Sequence, residues 1–357
     1  MIVADQHKID IPIKKILIVQ LGDIGDIVWG IPAYASVKRA YPQAELFLVT
    51  RHPYGDLLLD DPHITGIFQV KKNFHDSFSL LMKLRKLRLD LVIDLRADDR
   101  GAMTSFFTGA PIRAALFYPG MAWRNRLFTH LVIEPLPKKE RVYGAAEQSL
   151  QIIRGLGIME ESAVPQIAVS TKSEQKVREI IANEKIISKN GWISINPFSR
   201  WSYKEWDIEK WRLLINYIWE NYDLPTVIIG SAEERKRAEK LSQNTSIPVY
   251  NLAGLTSLWE MPALLKMSHL HIGVDSAAPH IAAAVGTPTV TIFGPSDWRD
   301  WAPPGGRNIV IVTDMSCSPC HQKGCDGRGR SLCMEKMDIK EVQDVVEKAL
   351  GKIVSCA

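Results

Sequence analysis

Apolar segments of strand length alternate with amphipathic segments of helix length along almost the whole chain. In the first half the apolar segments are ILIVQ (16–20), ELFLVT (45–50), GIFQV (66–70), LVIDL (91–95) and RAALF (113–117). The segments between them, such as SFSLLMKLRKLRL at 77–89, carry Leu, Met and Phe at helical spacing. Parallel strands need long crossover connections, which are usually helices, so this alternation predicts parallel sheets flanked by helices.

The alternation is interrupted once and then starts again. A long helix is predicted over about 142–156, and a polar stretch follows at 158–172. Beyond it lie GWISINP (191–197), PTVIIGS (225–231), PVYNLAG (248–254), LHIGVD (270–275), PTVTIFGP (288–295) and NIVIV (308–312). Because 357 residues exceed what one hydrophobic core usually serves, we predict two α/β domains, 1–165 and 166–357. The last amphipathic helix is predicted either to cap the second domain or to pack back on the first.

Composition and charge narrow the class of protein. Hydrophobic residues make up 46% of the chain and charged residues 24%, which excludes wholesale disorder. The net charge of +4 falls short of the strongly basic balance that is typical of nucleic-acid binding. No export signal and no apolar segment of about 20 residues stands out, so we expect a cytoplasmic protein. Peripheral contact with the inner face of the cytoplasmic membrane is left open.

Two Gly-Asp pairs follow the first buried strand, in ILIVQLGDIGDIVWGIPAY (16–34). Asp23 or Asp26 could cap the helix that starts here, or one of them could serve as a general base toward a substrate hydroxyl. The stretch lacks both G-x-G-x-x-G and the P-loop lysine, so it does not indicate a nucleotide site.

Two segments of the second half carry the residues expected of an anion site. In GVDSAAPHIAAAVGTPTVTIFGPSD (273–297), Asp275 ends a predicted strand. Ser276 and Ala277 begin a predicted helix, whose free N–H groups could bind phosphate. His280 lies on the same face of this helix as Ser276. In NPFSRWSYKEWDIEKW (196–211), Ser199 and Lys204 could hold a diphosphate. Helix caps, a structural histidine and a solvated loop lysine are the competing interpretations.

Four of the five cysteines form a C-x2-C-x4-C-x7-C pattern of Cys317, Cys320, Cys325 and Cys333. A structural zinc site usually shows two C-x2-C pairs, and only one occurs here. The pattern therefore leaves two interpretations, a structural zinc site, with His321 as a substitute ligand, or a thiol-rich loop held by packing.

Taken together, these segments resemble the ADP-heptose lipopolysaccharide heptosyltransferase family, the inverting glycosyltransferases of family nine. The resemblance runs over most of the chain and includes DLVIDLRADDRGAM and IIGSAEERKRAEKL. It implies a GT-B fold, in which two Rossmann-like domains face each other across a cleft. The acceptor would bind on the N-terminal side and the ADP-sugar on the C-terminal side.

The resemblance also implies roles for particular residues. Asp26 matches the proposed catalytic base, and Lys204 matches the lysine that steadies the departing ADP phosphates. The donor site would comprise Ser199, Lys204, Glu234, Asp275, Ser276, Ala277 and His280. Glu234 would hold the adenosine ribose, although neighbouring Glu233 could take that place. The family often has Thr-Gly where this chain has Ser276 and Ala277. The methyl group that Ala277 adds would limit how closely a phosphate can approach the backbone.

Acceptors in this family are anionic lipid-linked core sugars, so basic residues of the first domain are candidate contacts. With Gly25, the candidates are Lys71, Lys72, Arg96, Arg100, Arg124 and Arg126. The segment KLRKLR at 83–88 is expected to turn its Leu residues to the core and its basic residues to solvent, with membrane contact as the alternative.

The implied function is transfer of a heptose from ADP-heptose to a lipopolysaccharide core acceptor, with inversion and without a catalytic metal. One alternative is an enzyme of the same family with another nucleotide-sugar or acceptor. The other is a catalytically silent protein that binds sugar nucleotides.

Overall fold

The computed structural model describes residues 1–71, 74–96, 98–133, 144–188, 190–243, 245–303, 305–327 and 329–354. The chain divides into two compact units, Met1–Ala168 and Val169–Ala357. Lys72, one of the predicted acceptor contacts, lies outside the described residues.

Within the described residues, the first unit is built on a seven-stranded parallel sheet. Its strands are β1 (Ile2–Ala4), β2 (Lys15–Gln20), β3 (Glu45–Arg51), β4 (Gly66–Val70), β5 (Leu91–Asp94), β6 (Ile112–Leu116) and β7 (His130–Val132). They lie side by side in the order β1-β7-β6-β5-β2-β3-β4. Its helices are α1 (Ile24–Ala40), α2 (Phe74–Lys86), α3 (Asp99–Phe107), α4 (Ala122–Asn125) and α5 (Gly144–Gly155).

The second unit repeats this plan with a six-stranded parallel sheet in its described residues. Its strands are β8 (Ile193–Asn196), β9 (Thr226–Ile228), β10 (Val249–Asn251), β11 (Leu270–Val274), β12 (Thr289–Phe293) and β13 (Asn308–Val312), in the order β10-β9-β8-β11-β12-β13. Its helices are α6 (Thr171–Asn183), α7 (Ile208–Tyr222), α8 (Arg235–Ser242), α9 (Met261–Lys266), α10 (Ala277–Ala284), α11 (Trp298–Trp301), α12 (Leu332–Lys336) and α13 (Ile339–Val354). The last helix, α13, buries Val342 and Val346 in the core of this unit and contacts α7.

The structure differs from the sequence-based expectations mainly at the edges of elements. The short strands β1 and β7 were not expected, and they pair with each other at one end of the first sheet. Helix α1 begins at Ile24 rather than near Asp26, because Asp23 has an extended backbone and is the N-cap residue. Among the helices of the described residues, none combines the length and the apolar character that crossing a membrane requires.

Each sheet has one point at which the direction of strand addition reverses. In the first sheet this point lies between β2 and β5, because β3 and β4 extend from β2 while β6 and β7 extend from β5. In the second sheet it lies between β8 and β11. Ligands of open α/β sheets bind outside the carboxyl ends of the strands at such a switch point. The segments that follow these four strands are therefore the expected ligand sites.

Candidate functional site

The turn between β2 and α1 brings Asp26 back over the end of β2. The Asp23 N–H donates to Oδ2 of Asp26 at 2.8 Å, which satisfies one of the open donors at the start of the helix. Gly22 is required by this close approach, since a Cβ atom there would lie 2.4 Å from the same oxygen. The helix-capping interpretation of this turn is therefore correct, and it does not use the second oxygen of Asp26.

Asp26 is also tied to Arg96, which follows β5 on the other side of the switch point. Arg96 Nη1 lies 2.8 Å from Oδ2 of Asp26. The Arg96 N–H donates to Oδ1 of the fully buried Asp94 at 3.1 Å, which holds the arginine at the end of its strand. Both bonds to Asp26 fall on Oδ2, so Oδ1 accepts no hydrogen bond from the described residues. The side chain of Asp26 retains 19% exposure, so it is not closed off from solvent.

A second ion pair flanks the first on the same turn. Arg51, at the end of β3, places Nη1 2.8 Å from Oδ1 of Asp23, and its guanidinium lies 5.1 Å from the ring centre of Tyr54. Arg51 was not predicted from the sequence, because no local sequence pattern indicates its contact with Asp23. The edge of the first sheet thus carries two carboxylates, each paired with an arginine from a neighbouring strand.

The other basic candidates of the first unit differ in how accessible they are. Arg100 is exposed and lies 3.7 Å from Asp98, while Lys71 and Arg126 are exposed and Gly25 lies in the first turn of α1. Arg124, in contrast, is fully buried. Its guanidinium donates to the carbonyl oxygen of Leu116 at 2.9 Å and stacks on Tyr118, and burial lowers its pKa. A side chain in that position supports the fold and is not accessible to an acceptor, contrary to the prediction for Arg124.

In the second sheet, too, an ion pair connects the two segments that follow the strands at the switch point. Lys204, from the loop after β8, places Nζ 2.6 Å from Oδ2 of Asp275, which directly follows β11. The Ser276 hydroxyl donates to the side-chain oxygen of Asn196, the last residue of β8, at 2.9 Å. Asp275 is 8% exposed and Lys204 20%, so the ammonium is the more accessible partner.

The start of α10 is left open for a ligand. Ser276 occupies the N-cap position, yet its hydroxyl makes no capping hydrogen bond to the helix, because it is directed to Asn196 instead. Pro279 has no N–H, so the open donors of the first turn are those of Ser276, Ala277 and Ala278. Backbone N–H groups at a helix start, together with the helix dipole, favour phosphate or carboxylate.

His280 lies one turn further along α10 and is buried. Burial lowers its pKa to about 4, although the Asp275 charge opposes this shift. Its imidazole is therefore neutral at physiological pH, and any contact with a donor phosphate would be a hydrogen bond rather than an ion pair. The positive charge of Lys204 also lowers this pKa. His280 therefore lies close enough to the Lys204–Asp275 ion pair to interact with both charges.

A bidentate ion pair that sequence reasoning missed holds the loop that carries Ser199 and Lys204. The guanidinium of Arg237 on α8 bonds to both carboxylate oxygens of Glu205 and lies 4.6 Å from the ring centre of Phe198. The same carboxylate accepts the Ser199 N–H at 2.9 Å. Both ends of the loop are thereby fixed, which limits how far Lys204 can move.

Glu233 and Glu234 follow β9 at the same edge of the sheet. Oε2 of Glu234 accepts the Ser231 N–H at 2.7 Å, so this carboxylate helps to cap the turn that precedes α8. Glu233 is exposed, and hydrogen bonds from the backbone and from Ser231 lower its pKa. The choice between them as a ribose contact stays a prediction.

The four cysteines of the C-x2-C-x4-C-x7-C pattern do not form a preformed metal site. Among the described residues, no group of three or more His, Cys, Asp or Glu side chains is placed to hold a metal ion. Cys333 is buried, which raises the pKa of its thiol to about 11, whereas a zinc ligand must be a thiolate. A structural zinc stays a prediction of the spacing alone, and elemental analysis of the purified protein tests it.

Two buried histidines, His271 and His280, are expected to make the second unit less stable at acidic pH. Burial lowers the pKa of His271 to about 3 and that of His280 to about 4, whereas both titrate near 6.5 in the unfolded chain. The unfolded chain therefore binds these protons more readily below pH 6.5. Between pH 7 and pH 5, each histidine is expected to lower the free energy of unfolding by about 2 kcal/mol.

Urea denaturation at the two pH values measures this effect. His280→Gln should lose about 2 kcal/mol less than the unsubstituted protein over the same interval. An unchanged pH dependence in this variant would show that the pKa of His280 is the same in the folded and the unfolded chain.

Comparison with known proteins places this chain among sugar-transferring enzymes. The family model described as Glycosyltransferase family 9 (heptosyltransferase) matches residues 77–329. Lipopolysaccharide heptosyltransferase 3 of Escherichia coli is 28% identical over 295 residues, which cover 78% of this chain and 84% of the relative.

Solved structures share the fold over both units. The glycosyl transferase family 9 protein from Veillonella parvula DSM 2008 matches with a TM-score of 0.81 at 20% identity, over 95% of this chain and 97% of its own. The E. coli ADP-heptose lps heptosyltransferase II matches with a TM-score of 0.76 at 21% identity, over 95% and 99%. These structures confirm the prediction of a GT-B fold with two parallel α/β units.

Proposed function

Because this chain belongs to glycosyltransferase family 9, the heptosyltransferases, we propose that it transfers a heptose from ADP-heptose to a lipopolysaccharide core acceptor and inverts the anomeric carbon. The protein is a glycosyltransferase, and its relatives act on lipopolysaccharide. The donor is proposed from a solved relative, which is named as an ADP-heptose enzyme. The observation that carries the proposal is the Lys204–Asp275 pair beside the open start of α10.

The second unit supplies what a departing nucleoside diphosphate needs. Two kinds of positive group meet at its switch point, the Lys204 ammonium and the backbone donors of Ser276 and Ala277. Both can bind phosphate oxygens, and both become more effective as negative charge develops on the leaving group. Asp275 is directed at Lys204 and is largely buried, so its proposed role is to hold the ammonium in place.

The first unit supplies a base with a fixed orientation. In the proposed reaction, Oδ1 of Asp26 accepts the proton of the attacking acceptor hydroxyl while the oxygen forms its bond to the anomeric carbon. The bond from that carbon to the ADP oxygen breaks on the opposite face, which inverts the configuration. Oδ2 is already bonded to Arg96 and to the Asp23 N–H, and these bonds restrain the orientation of the carboxylate.

These contacts predict that Arg96 acts mainly by positioning Asp26. Arg96→Gln is expected to lower kcat by about tenfold to a hundredfold, because a misaligned base transfers protons poorly, with little change in the KM for acceptor. Steady-state kinetics separates this role from direct acceptor binding, which would raise KM instead.

Arg51→Gln is the matched control for Arg96→Gln. It removes an arginine from a neighbouring strand that pairs with Asp23 on the same turn, at 2.8 Å, and it is expected to lower kcat by less than about tenfold. A rise in KM with constant kcat for Arg96→Gln would assign that residue to the acceptor and contradict the positioning role.

The function itself is tested with purified protein, ADP-heptose and lipid-linked core acceptors. Mass spectrometry should show an acceptor product heavier by one heptose, and NMR of that product should show the anomeric configuration opposite to that of the donor. A panel of other nucleotide-sugars serves as the control for donor identity. Transfer from another donor alone would replace heptose in the proposal, and ADP-heptose binding without any transfer would support a silent binding protein.

A further inference from the structure

Two neighbouring helices of the first unit expose large apolar side chains on their outer surfaces. Helices α2 and α3 are in contact, and Arg85 on α2 donates to the carbonyl oxygen of Phe107 on α3 at 3.3 Å. The exposed apolar residues, which we call the α2–α3 face, are Phe78, Met82, Met103, Phe106 and Phe107, with relative exposures of 59%, 44%, 40%, 45% and 42%.

Helical spacing gathers these residues on one side of each helix. Phe78 and Met82 are four residues apart, whereas Leu80 and Leu84 point the other way and are buried in the core of the first unit. On α3, Met103, Phe106 and Phe107 follow the i, i+3, i+4 pattern, opposite the buried Gly101 and Ser105. Each helix therefore has one buried side and, opposite it, an apolar stripe that faces solvent.

Basic residues surround this face. Those with exposed positions are Lys83, Arg85, Lys86, Arg88 and Arg100. The acidic residues at the start of α3 are Asp98, which lies 3.7 Å from Arg100, and the exposed Asp99. Between Phe78 and Leu89 the chain has no acidic residue at all. Positive charge thus dominates the border of the apolar residues.

We propose that the α2–α3 face docks the protein on the surface of a bilayer that contains anionic lipids. The Phe and Met side chains would enter the boundary between head groups and acyl chains, while the Lys and Arg side chains contact lipid phosphates. In the segment 83–88, Leu84 is buried in the core and the basic residues are exposed. The proposal takes the alternative of membrane contact for these basic residues.

The charge pattern favours a membrane over a second copy of this chain. A docking site for a second copy of this chain would bring Lys83, Lys86 and Arg88 close to the same residues of the other copy, and like charges repel. An anionic lipid surface instead attracts each of them and has no fixed shape to match. The proposal does not rest on the proposed sugar transfer, because vesicle binding is measured without donor or acceptor.

Co-sedimentation with vesicles tests the proposal on the full chain. We expect binding to phosphatidylcholine vesicles that contain phosphatidylglycerol, and much weaker binding to phosphatidylcholine alone. Phe78→Ser with Phe106→Ser should lower the partition coefficient by about tenfold or more. Lys83→Gln with Lys86→Gln should lower it by about 25-fold, since each cation near an anionic surface contributes about fivefold.

Matched controls come from the second unit. Leu213→Ser removes an apolar side chain of 52% exposure from α7, and Lys236→Gln with Lys240→Gln removes two exposed charges from α8. These variants should bind vesicles as the unsubstituted protein does, and circular dichroism should show that every variant is folded. Equal binding to both kinds of vesicle, binding to neither, or equal losses in test and control variants would each overturn the proposal. So would light scattering that shows self-association lost in Phe78→Ser with Phe106→Ser.

Discussion

Replacing Asp26 with asparagine is expected to lower the rate of sugar transfer by about a thousandfold and to leave the affinity for ADP-sugar unchanged. Asparagine keeps a side-chain oxygen for the Asp23 N–H, so the start of α1 should survive the change. It cannot accept a proton at neutral pH, and a positioned base typically contributes between a hundredfold and ten-thousandfold. Initial rates, with donor affinity measured separately by calorimetry, test both halves of this expectation.

The matched control is Asp23→Asn, three residues earlier on the same turn. The Asp23 side chain is 55% exposed and pairs with Arg51 rather than Arg96. We expect it to lose less than tenfold in rate, because the charge that it removes belongs to an exposed ion pair. Near-normal turnover by Asp26→Asn would remove Asp26 as the base, and equal losses in the two variants would point to damage to the turn.

Replacing Lys204 with methionine is expected to lower kcat/KM by about a hundredfold and to weaken ADP binding by about tenfold. The larger kinetic effect follows because the ammonium interacts most strongly when charge has developed on the departing phosphate. Methionine preserves much of the length and apolar contact of the side chain. Calorimetry with ADP and initial-rate kinetics give the two numbers, and Lys336→Met, at an exposed lysine of α12, is the control.

A loss of stability in Lys204→Met has to be separated from a loss of function. Removing the lysine leaves the Asp275 carboxylate, 8% exposed, without its partner, and an unpaired buried charge destabilises a fold. Lys204→Met combined with Asp275→Asn removes both charges and should recover most of the melting temperature. Recovery of stability without recovery of transfer supports the leaving-group role, whereas recovery of both would assign Lys204 to the fold.

The positions of the candidate site residues follow from the sequence because parallel strands bring their carboxyl ends to one edge of a sheet. Asp26, Lys204 and Asp275 each follow an apolar run, so their location at a sheet edge can be predicted from the sequence alone. The direct contact between Lys204 and Asp275 could not, because 71 residues separate them and no local pattern encodes the pairing. The same holds for Arg96 with Asp26 and for Arg237 with Glu205.

The elements that were missed are those with the weakest local signal. Strands β1 and β7 contain three residues each, too few for alternation to be recognised, and their pairing makes them strands. Arg124 looked like a surface cation because arginine is rarely buried. Its burial depends on Tyr118 and Phe128, whose rings lie next to the guanidinium only after the chain has folded.

The open start of α10 sets protein stability against ligand affinity. An aspartate at position 276 could accept hydrogen bonds from the first turn and would complement the helix dipole, which typically contributes 0.3–1 kcal/mol. The same carboxylate would occupy the position where we propose that a phosphate binds. Ser276→Asp is therefore expected to abolish the rise in melting temperature that ADP causes, whereas the stability of the unliganded variant balances the gained cap against the lost hydrogen bond to Asn196. A serine that turns away from its own helix leaves the first-turn donors available to an anion and forgoes the stability of a cap.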